Sequence, residues 1–410
     1  MLEGQTPYTI IDKGMINTFY NVFSSNITSF PNPDLAWEKI QDYGVALDFS
    51  ILKGSINGSL AYFRTKTTNA FLHKRVSTVN GAPGDLYVVN GGTLENQGVE
   101  MSLNFKFIDN LGAGKKRFIW RFDPQLGQVF NTLINNNIKS RNVMEDAATL
   151  TYQSYLDGKV PINGKSVNTF YSYRFKDLDP QYGFPVFYGA EPNNKEELVA
   201  QYNKMTKDQV FSMVMVESGR REPVIQGGIL NSFVYGNWTL SFTFTYSVGS
   251  KIRLMQIVSG NYATFRPSSQ QNLRKEFTQR WRYPGDEKFT NIPAIQGASG
   301  IQDDQIGWWK SANLHTNFAN DYYQMYDFSD LRVVKGDYLK LQSVSLSYRF
   351  PEGLCRKLYC KGATATFSGS NLYTFANKAL RGQDPSQSGS APNINLSIRP
   401  VYALNLNISF

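Results

Sequence analysis

Histidine and cysteine are nearly absent from this chain of 410 residues, which has two of each. His73 and His315 are far apart in the sequence and fall in predicted loops, so the sequence does not favour a His-based catalytic triad or metal site. Five acidic residues lack the spacing of an EF-hand and are expected to be solvated, namely Asp303, Asp304, Asp321, Asp327 and Asp330. The sequence therefore predicts a protein that is not an enzyme, with no catalytic, metal-binding or cofactor-binding residues.

Long apolar runs are lacking too. Although 41% of the residues are hydrophobic, no stretch of about eighteen consecutive apolar residues occurs, which excludes a transmembrane helix but not a membrane barrel. The net charge is +9, yet the 42 basic residues are scattered along the chain. Because they form no cluster on one predicted element, nucleic acid is not an expected partner.

A secretory signal is also missing, because residues 1–12 contain no basic segment followed by an apolar one. We expect either that the chain is the C-terminal part of a longer exported protein, or that it is cytoplasmic and the strands predicted below are wrong. Cys355 and Cys360 lie in one predicted turn. They are a candidate disulfide in an oxidising periplasm, and two unpaired thiols are the equally weighted alternative.

The sequence does contain a clear alternation of apolar and polar residues. Every second residue near the C-terminus is apolar, in the row Tyr402, Leu404, Leu406, Ile408 and Phe410. A period of two predicts a β-strand whose two faces meet different solvents. In an outer-membrane barrel the outer face meets lipid and the inner face meets water.

Similar rows recur along the chain. They run from Val45 to Phe49, from Val99 to Phe107, from Trp238 to Tyr246 and from Val344 to Phe350. The alternating runs reach about nine to eleven residues, the length that a tilted strand needs to cross a bilayer. Strands of soluble proteins are usually shorter, so a soluble core filled by these aromatic residues is the less favoured alternative.

The sequence predicts nine strands in an all-β, antiparallel transmembrane barrel, with connections that alternate between short and long. The strands are predicted near 36–51, 55–69, 95–108, 116–131, 224–236, 238–250, 337–350, 361–374 and 397–410. Bacterial barrels have short periplasmic turns and long extracellular loops. The pattern therefore places the C-terminus in the periplasm and the long loops, about 133–223 and 253–335, outside the cell.

The long loops carry further signals. Residues 194–211 and 270–281 are predicted to form short amphipathic helices. One loop is rich in aromatic residues that suit sugar stacking or peptide binding, although loop packing explains them equally well: Trp308, Trp309, Tyr322, Tyr323 and Tyr326.

Several segments resemble a known family when taken in order. They are NPDLAWEK at 32–39, GVALDF at 44–49, YFRTKTT at 62–68, NQGVE at 96–100, GRREPV at 219–224, YLKL at 338–341 and SGSNLYTF at 368–375. Their order and spacing are similar to those in the barrel of SusC/RagA-type TonB-dependent outer-membrane transporters. Each motif is weak alone, but the ordered set covers nearly the whole chain.

The resemblance implies a barrel of about twenty-two strands, surrounded by outer-membrane lipids and filled by an N-terminal plug through which TonB acts. It also implies a SusD-like surface lipoprotein that forms a lid. On this basis residues 1–410 are expected to be the C-terminal part of the barrel domain, a fragment without the plug. The row ending in Phe410 resembles the signal read by the barrel-assembly machinery.

The function implied is uptake of an oligosaccharide (glycan) or a peptide. Two alternatives remain. One is a passive surface-binding or adhesion module that uses the same loops, and the other, weaker, is a soluble sugar-binding β-protein.

Overall fold

The computed structural model describes residues 10–17, 19–29, 32–75, 86–110, 118–136, 152–160, 162–205, 207–257, 274–295, 322–386 and 398–410. The strands are β1 (Ile10–Asn17), β2 (Val22–Ser29), β3 (Lys39–Ile51), β4 (Ile56–Arg75), β5 (Leu86–Asn110), β6 (Phe118–Asn136), β7 (Thr169–Tyr173), β8 (Phe175–Leu178), β9 (Pro185–Phe187), β10 (Met215–Arg220), β11 (Ile225–Tyr235), β12 (Trp238–Val248), β13 (Lys251–Arg253), β14 (Val333–Lys335), β15 (Tyr338–Arg349), β16 (Gly362–Ala376) and β17 (Val401–Ser409).

The helices are short. They are α1 (Tyr152–Leu156), α2 (Lys195–Tyr202), α3 (Lys207–Val214), α4 (Tyr322–Asp327) and α5 (Glu352–Lys357), with single 3-10 turns at Pro192–Asn194, Lys275–Gln279, Asp286–Lys288, Asp330–Arg332 and Lys378–Leu380. Within the described ranges, no helix is long and apolar enough to span a membrane.

One large sheet dominates the structure. Its nine strands lie in the order β3-β4-β5-β6-β11-β12-β15-β16-β17, and every neighbouring pair is antiparallel. The prediction of an all-β fold with nine strands in this sequence order is confirmed. Among the described residues, β3 and β17 each pair on one side only.

The first hairpins differ from the prediction. Pairing of β4 with β5 continues from Phe71 opposite Asn90 to Arg75 opposite Leu86, so much of the predicted loop after residue 69 is extended strand. His73 therefore lies in β4 and not in a loop. A further hairpin, β1 with β2, was not predicted. Continued cross-strand hydrogen bonding explains the longer strands, because it satisfies backbone groups that a loop would leave to water.

Apolar residues of neighbouring strands share one face of the sheet. Leu47 lies opposite Leu60, which lies opposite Met101, and the later strands align Leu240, Leu346, Phe367 and Leu404 in the same way. We call this the apolar face. It is not covered by protein, since Val45 is 74% exposed and Leu404 is 76% exposed. The predicted rows therefore face outward and do not form a soluble core.

Aromatic rings connect the apolar face from strand to strand. The ring centroids of Phe107 and Trp120 are 4.7 Å apart, those of Trp120 and Phe233 are 5.7 Å apart, and those of Phe233 and Phe242 are 6.0 Å apart. These contacts cross β5, β6, β11 and β12. Since stacked and tilted aromatic pairs add stabilisation beyond area burial, they reinforce the pairing register of the strands.

The predicted loop helices are partly confirmed. The helix predicted at 194–211 is two helices, α2 and α3, whose buried residues include Leu198, Tyr202, Val210 and Val214. The helix predicted at 270–281 is a single 3-10 turn, Lys275–Gln279, within the described part of that segment. Both elements belong to the packed region described below.

A charge on the apolar face tests the assignment of the two faces. Phe242→Arg should lower the free energy of unfolding by about 2–4 kcal/mol if residue 242 lies near the bilayer midplane, because the guanidinium must enter hydrocarbon. Thr243→Arg, on the opposite face between Leu230 and Ser343, should cost much less. Urea unfolding of the full-length protein folded in lipid measures both, and equal costs would contradict the assignment.

Candidate functional site

The face opposite the apolar face is polar, and we call it the polar face. Side chains on adjacent strands hydrogen-bond across it. The Ser241 hydroxyl donates to the Ser232 hydroxyl at 3.2 Å, and the hydroxyls of Ser347 and Thr366 are 2.9 Å apart. This face offers donors and acceptors to water or to a polar solute.

A depression of about 660 Å³ lies on the polar face. It spans β4, β5, β6, β11, β12 and the start of β15. Its polar lining consists of Ser59, Glu100, Ser102, Gln125, Gln226, Thr245 and Tyr338. Hydroxyls, amides and one carboxylate suit reversible hydrogen bonding, and the depression therefore resembles a solute-facing surface more than a reaction centre.

The connections from β6 to β11 and from β12 to β15 pack together into a unit that we call the cap, made of residues 152–220, 250–257, 274–295 and 322–336 where described. In the cap β7 pairs with β10, β8 with β9, and β13 with β14. Its core contains the fully buried residues Tyr173, Phe187, Tyr202, Tyr322 and Met325. The described parts of the predicted long loops thus have a hydrophobic core of their own.

Arg253 is fully buried in the cap. Its guanidinium donates to the carbonyl oxygens of Ser329 and Tyr171 at 3.3 and 3.0 Å. It also lies 5.3 Å from the ring centroid of Phe170 and 5.1 Å from that of Phe328. Burial lowers the pKa of Arg253 to about 9, against the opposing effect of Asp327. The side chain is therefore still charged near neutral pH, and it ties the two long connections together.

A second buried cation, Arg332, joins an ionic network. Its guanidinium lies 3.0 Å from Glu276 and 3.8 Å from Asp327, and it donates to the carbonyl oxygen of Met255 at 2.6 Å. Arg274 lies 3.1 Å from the same Glu276. Burial opposes the charge of Arg332, but the nearby acids raise its pKa above the ordinary value. Asp327 is therefore an ion-pair partner, not a solvated acid as predicted.

Three tyrosines proposed as solute contacts lie inside the cap. Tyr322 and Tyr326 are buried, and Tyr322 donates to the carbonyl oxygen of Ala190 at 2.9 Å. Tyr323 packs against the same core. Burial raises the pKa of all three phenols. Their role is loop packing, the alternative that the sequence left open, while Trp308 and Trp309 lie outside the described residues.

The predicted assembly row lies on β17. Leu404, Leu406 and Ile408 stand opposite Phe367, Ala365 and Ala363 of β16. With Tyr402 and Phe410 they are exposed, as expected for side chains that meet lipid. That the barrel-assembly machinery recognises this row stays a prediction.

Cys355 and Cys360 are both free thiols and both buried. The Cys360 thiol donates to the carbonyl oxygen of Cys355 at 3.4 Å. The two side chains pack together with Ala363 and Phe350. In the structure they are therefore a small apolar cluster, and their oxidation to a disulfide stays a prediction.

Sequence reasoning missed the buried cations. Arg253 stands in the run Ile252, Arg253, Leu254, Met255. One basic residue among apolar neighbours is a signal of burial that could have marked it. The partners of Arg332 carry no such signal, because Glu276 and Met255 are distant in the sequence.

Comparison with known proteins gives a consistent result. A family model described as "TonB dependent receptor-like, beta-barrel" matches residues 11–206. TonB-dependent receptor P3 of Formosa agariphila is 22% identical over 94% of this chain and 35% of the receptor. Receptor P26 of the same organism is 22% identical over 87% of the chain and 32% of the receptor.

Solved structures show a similar fold. The RagAB peptide importer in its "open-open" state is 18% identical, with a TM-score of 0.66 over 100% of this chain and 38% of that chain. A second structure, of the RagAB peptide transporter, gives a TM-score of 0.65 at 16% identity over 98% of this chain and 39% of that chain. This chain thus spans about a third of the length of these proteins, from 32% to 39%. The relatives are receptors and transporters, in agreement with the prediction of a non-enzyme.

The buried ionic network should be necessary for the stability of the cap. Arg332→Met removes the cation that pairs with buried Asp327 and leaves Glu276 with Arg274 alone, and we expect a cost of about 3–5 kcal/mol, as for other broken buried pairs. Lys165→Met removes a half-exposed pair with Glu217, 2.8 Å apart, and should cost much less. Hydrogen–deuterium exchange of cap amides in the full-length protein measures both, and similar protection in the two variants would contradict the role of Arg332.

The terminal row should be needed for assembly. Phe410→Asp places a charge at the end of the exposed apolar row and should reduce the amount of folded protein in the membrane. Ser409→Asp, one residue earlier in the alternation, is the matched control. Heat-modifiable migration on gels measures the folded fraction, and normal amounts for Phe410→Asp would count against the assembly signal.

Proposed function

Since this chain belongs to the TonB-dependent receptor β-barrel family, we propose that it forms part of the wall and the outer cap of an outer-membrane importer. The full-length protein would take up an oligosaccharide or a peptide with energy supplied through TonB, which acts on the plug region of the family. Members of this family are outer-membrane proteins.

The observation that carries the proposal is the difference between the two faces of the sheet. One face is an uncovered apolar surface linked by aromatic rings, and the other is polar with a depression of about 660 Å³. A sheet that separates hydrocarbon from a wet interior needs this distribution. We infer that the polar depression lines the path of the solute.

The cap supports the direction of uptake. It connects the strand ends opposite the tight turn at Gly236 and Asn237. A hydrogen bond fastens it to the sheet, in which the amide of Val167 donates to Asn131 of β6 at 3.2 Å. We propose that the cap is extracellular and the C-terminus periplasmic, because short turns are periplasmic in such barrels.

The surface of the cap also offers binding groups. Tyr283 and Phe289 are exposed, and the ring of Tyr188 lies beneath the Arg174 guanidinium at 4.7 Å. Exposed aromatic residues with nearby cations suit contacts with a partner protein or a solute. We propose that this surface meets a SusD-like surface lipoprotein, which closes over the cap as a lid.

The side chains that line the depression indicate a polar solute but do not distinguish a sugar from a peptide. Serine, threonine and glutamine side chains of the depression hydrogen-bond equally well to sugar hydroxyls and to peptide amides. The RagAB relatives are a peptide importer and transporter. We therefore propose a peptide or an oligosaccharide, and the experiment below distinguishes the two.

Uptake by cells that make the full-length protein tests this function. Cells receive fluorescent oligopeptides or fluorescent oligosaccharides, with and without a protonophore that removes the energy source of TonB. Ser102→Trp, which fills the polar depression, should slow energised uptake. Leu103→Trp, on the apolar face of the same strand, should leave uptake unchanged.

Each alternative has its own result. Surface binding that is unaffected by the protonophore and by Ser102→Trp, without accumulation inside the cell, would show an adhesion module. A full-length protein that is folded in water without detergent and lacks heat-modifiable migration would show a soluble sugar-binding protein. Either outcome would overturn the proposal that the protein is an importer.

A further inference from the structure

The short connection between β15 and β16 carries a helix, α5, and we call residues 351–361 the turn segment. Pro351 precedes the helix in an extended conformation. The chain leaves it through Tyr359, which has a φ of 56°, and the amide of Cys360 then donates to the carbonyl oxygen of Cys355 at 3.0 Å. This hydrogen bond is that of a Schellman motif, which brings the residues at its two ends into contact. The motif therefore holds the two cysteines side by side.

The cysteines show on which side of the sheet the turn segment lies. Cys355 and Cys360 pack on Phe350 and Ala363. Both of these residues belong to the apolar face, because Ala363 stands opposite Ile408 and Phe350 continues the row of Leu346 and Tyr348. The turn segment thus folds over the apolar face and does not enter the polar side.

Three large apolar side chains of the turn segment lie outside this contact and are exposed. Leu354 is 41% exposed, Leu358 is 61% exposed and Tyr359 is 92% exposed. Leu354 and Leu358 are four residues apart, so they share one side of the helix. Contact of three large apolar side chains with water is unfavourable, and an apolar environment around the turn segment would remove this cost.

The charged residues of the turn segment are mostly basic. Arg356, Lys357 and Lys361 stand against a single acid, Glu352. The ion pair of Glu352 with Arg356, 3.9 Å apart, is almost fully exposed and contributes little. Two lysines and an arginine therefore lie in the same short segment as the exposed leucines.

Aromatic residues continue this edge of the apolar face. The ring centroids of Trp238 and Tyr348 are 4.5 Å apart, and those of Tyr348 and Phe350 are 5.3 Å apart. Trp and Tyr collect where membrane proteins cross from hydrocarbon to headgroups. The turn segment is therefore continuous with a surface that has the composition of a membrane interface.

We propose that the turn segment is a phospholipid-binding element, which lies in the headgroup layer with Leu354, Leu358 and Tyr359 in the acyl chains and its basic residues on lipid phosphates. This inference rests on the outer-membrane placement proposed above. In that placement the turn segment lies in the periplasmic leaflet. Apolar insertion and attraction to phosphates act together in such interfacial helices.

Fluorescence quenching tests the insertion. The full-length protein is reconstituted in phospholipid whose acyl chains are brominated, and the added fluorescence of Leu358→Trp should be quenched by bromine more than by aqueous iodide. Tyr283→Trp, in the exposed part of the cap, should show the reverse. Quenching of residue 358 by iodide alone would overturn the proposal.

A third variant separates this result from a failure of the proposed function. Leu240→Trp lies on the apolar face away from the turn segment, and bromine should quench it whenever the sheet is in the membrane. Quenching at 240 without quenching at 358 rejects the turn segment alone. Absence of quenching at both positions rejects the membrane placement itself.

The basic residues need their own test. Replacing phosphatidylcholine by phosphatidylglycerol should raise the melting temperature of the wild-type protein, and the rise should be smaller for the double variant Lys357→Gln, Lys361→Gln. The control Lys195→Gln, Lys204→Gln in the cap should keep the full rise. Inorganic phosphate should not reproduce the effect, and an unchanged rise in the double variant would overturn headgroup binding.

Discussion

Antiparallel pairing between neighbouring strands is the constraint on which the rest of the structure depends. In hydrocarbon no water is available to backbone groups, so each strand must satisfy them with its neighbours. Residues directly opposite each other in such a pair share a face. The polar–apolar alternation of single strands thereby becomes one continuous apolar face and one continuous polar face, from Leu47 on β3 to Leu404 on β17.

The two faces continue even where the alternation breaks. Phe242 of β12 stands opposite Val344 of β15, but Phe244 stands opposite Leu341. One extra residue, Gln342, is therefore inserted in β15. The partner strand β16 has a matching irregularity, and Gln342 donates to the side chain of Asn371 at 3.2 Å. This bulge returns Leu341 to the apolar face. Without it Leu341 and Leu339 would lie on the polar face, since a shift of one residue moves a side chain to the other side of the sheet.

Different physics holds the cap together. Its apolar residues do not form an exposed face, and Tyr173, Tyr202 and Tyr322 are instead buried together in a core. Backbone carbonyls, aromatic rings and acids compensate the buried charges of Arg253 and Arg332. Arg253 joins the two long connections, because it donates to Tyr171 of the first and to Ser329 of the second. Arg332 links separate segments of the second connection, through Glu276 and Met255.

The sequence by itself determined the nine strands of the large sheet, their order and the face of the side chains in the predicted apolar rows, because alternation is a local property of each strand. Only the tertiary structure decided the bulge at Gln342, the partners of Arg253 and Arg332, and the burial of Tyr322. It also decided that Cys355 and Cys360 hold the turn segment on the apolar face. These features depend on contacts between residues far apart in the chain, for which no periodic pattern exists, and the candidate site was therefore visible in advance only as a polar face and two long loops.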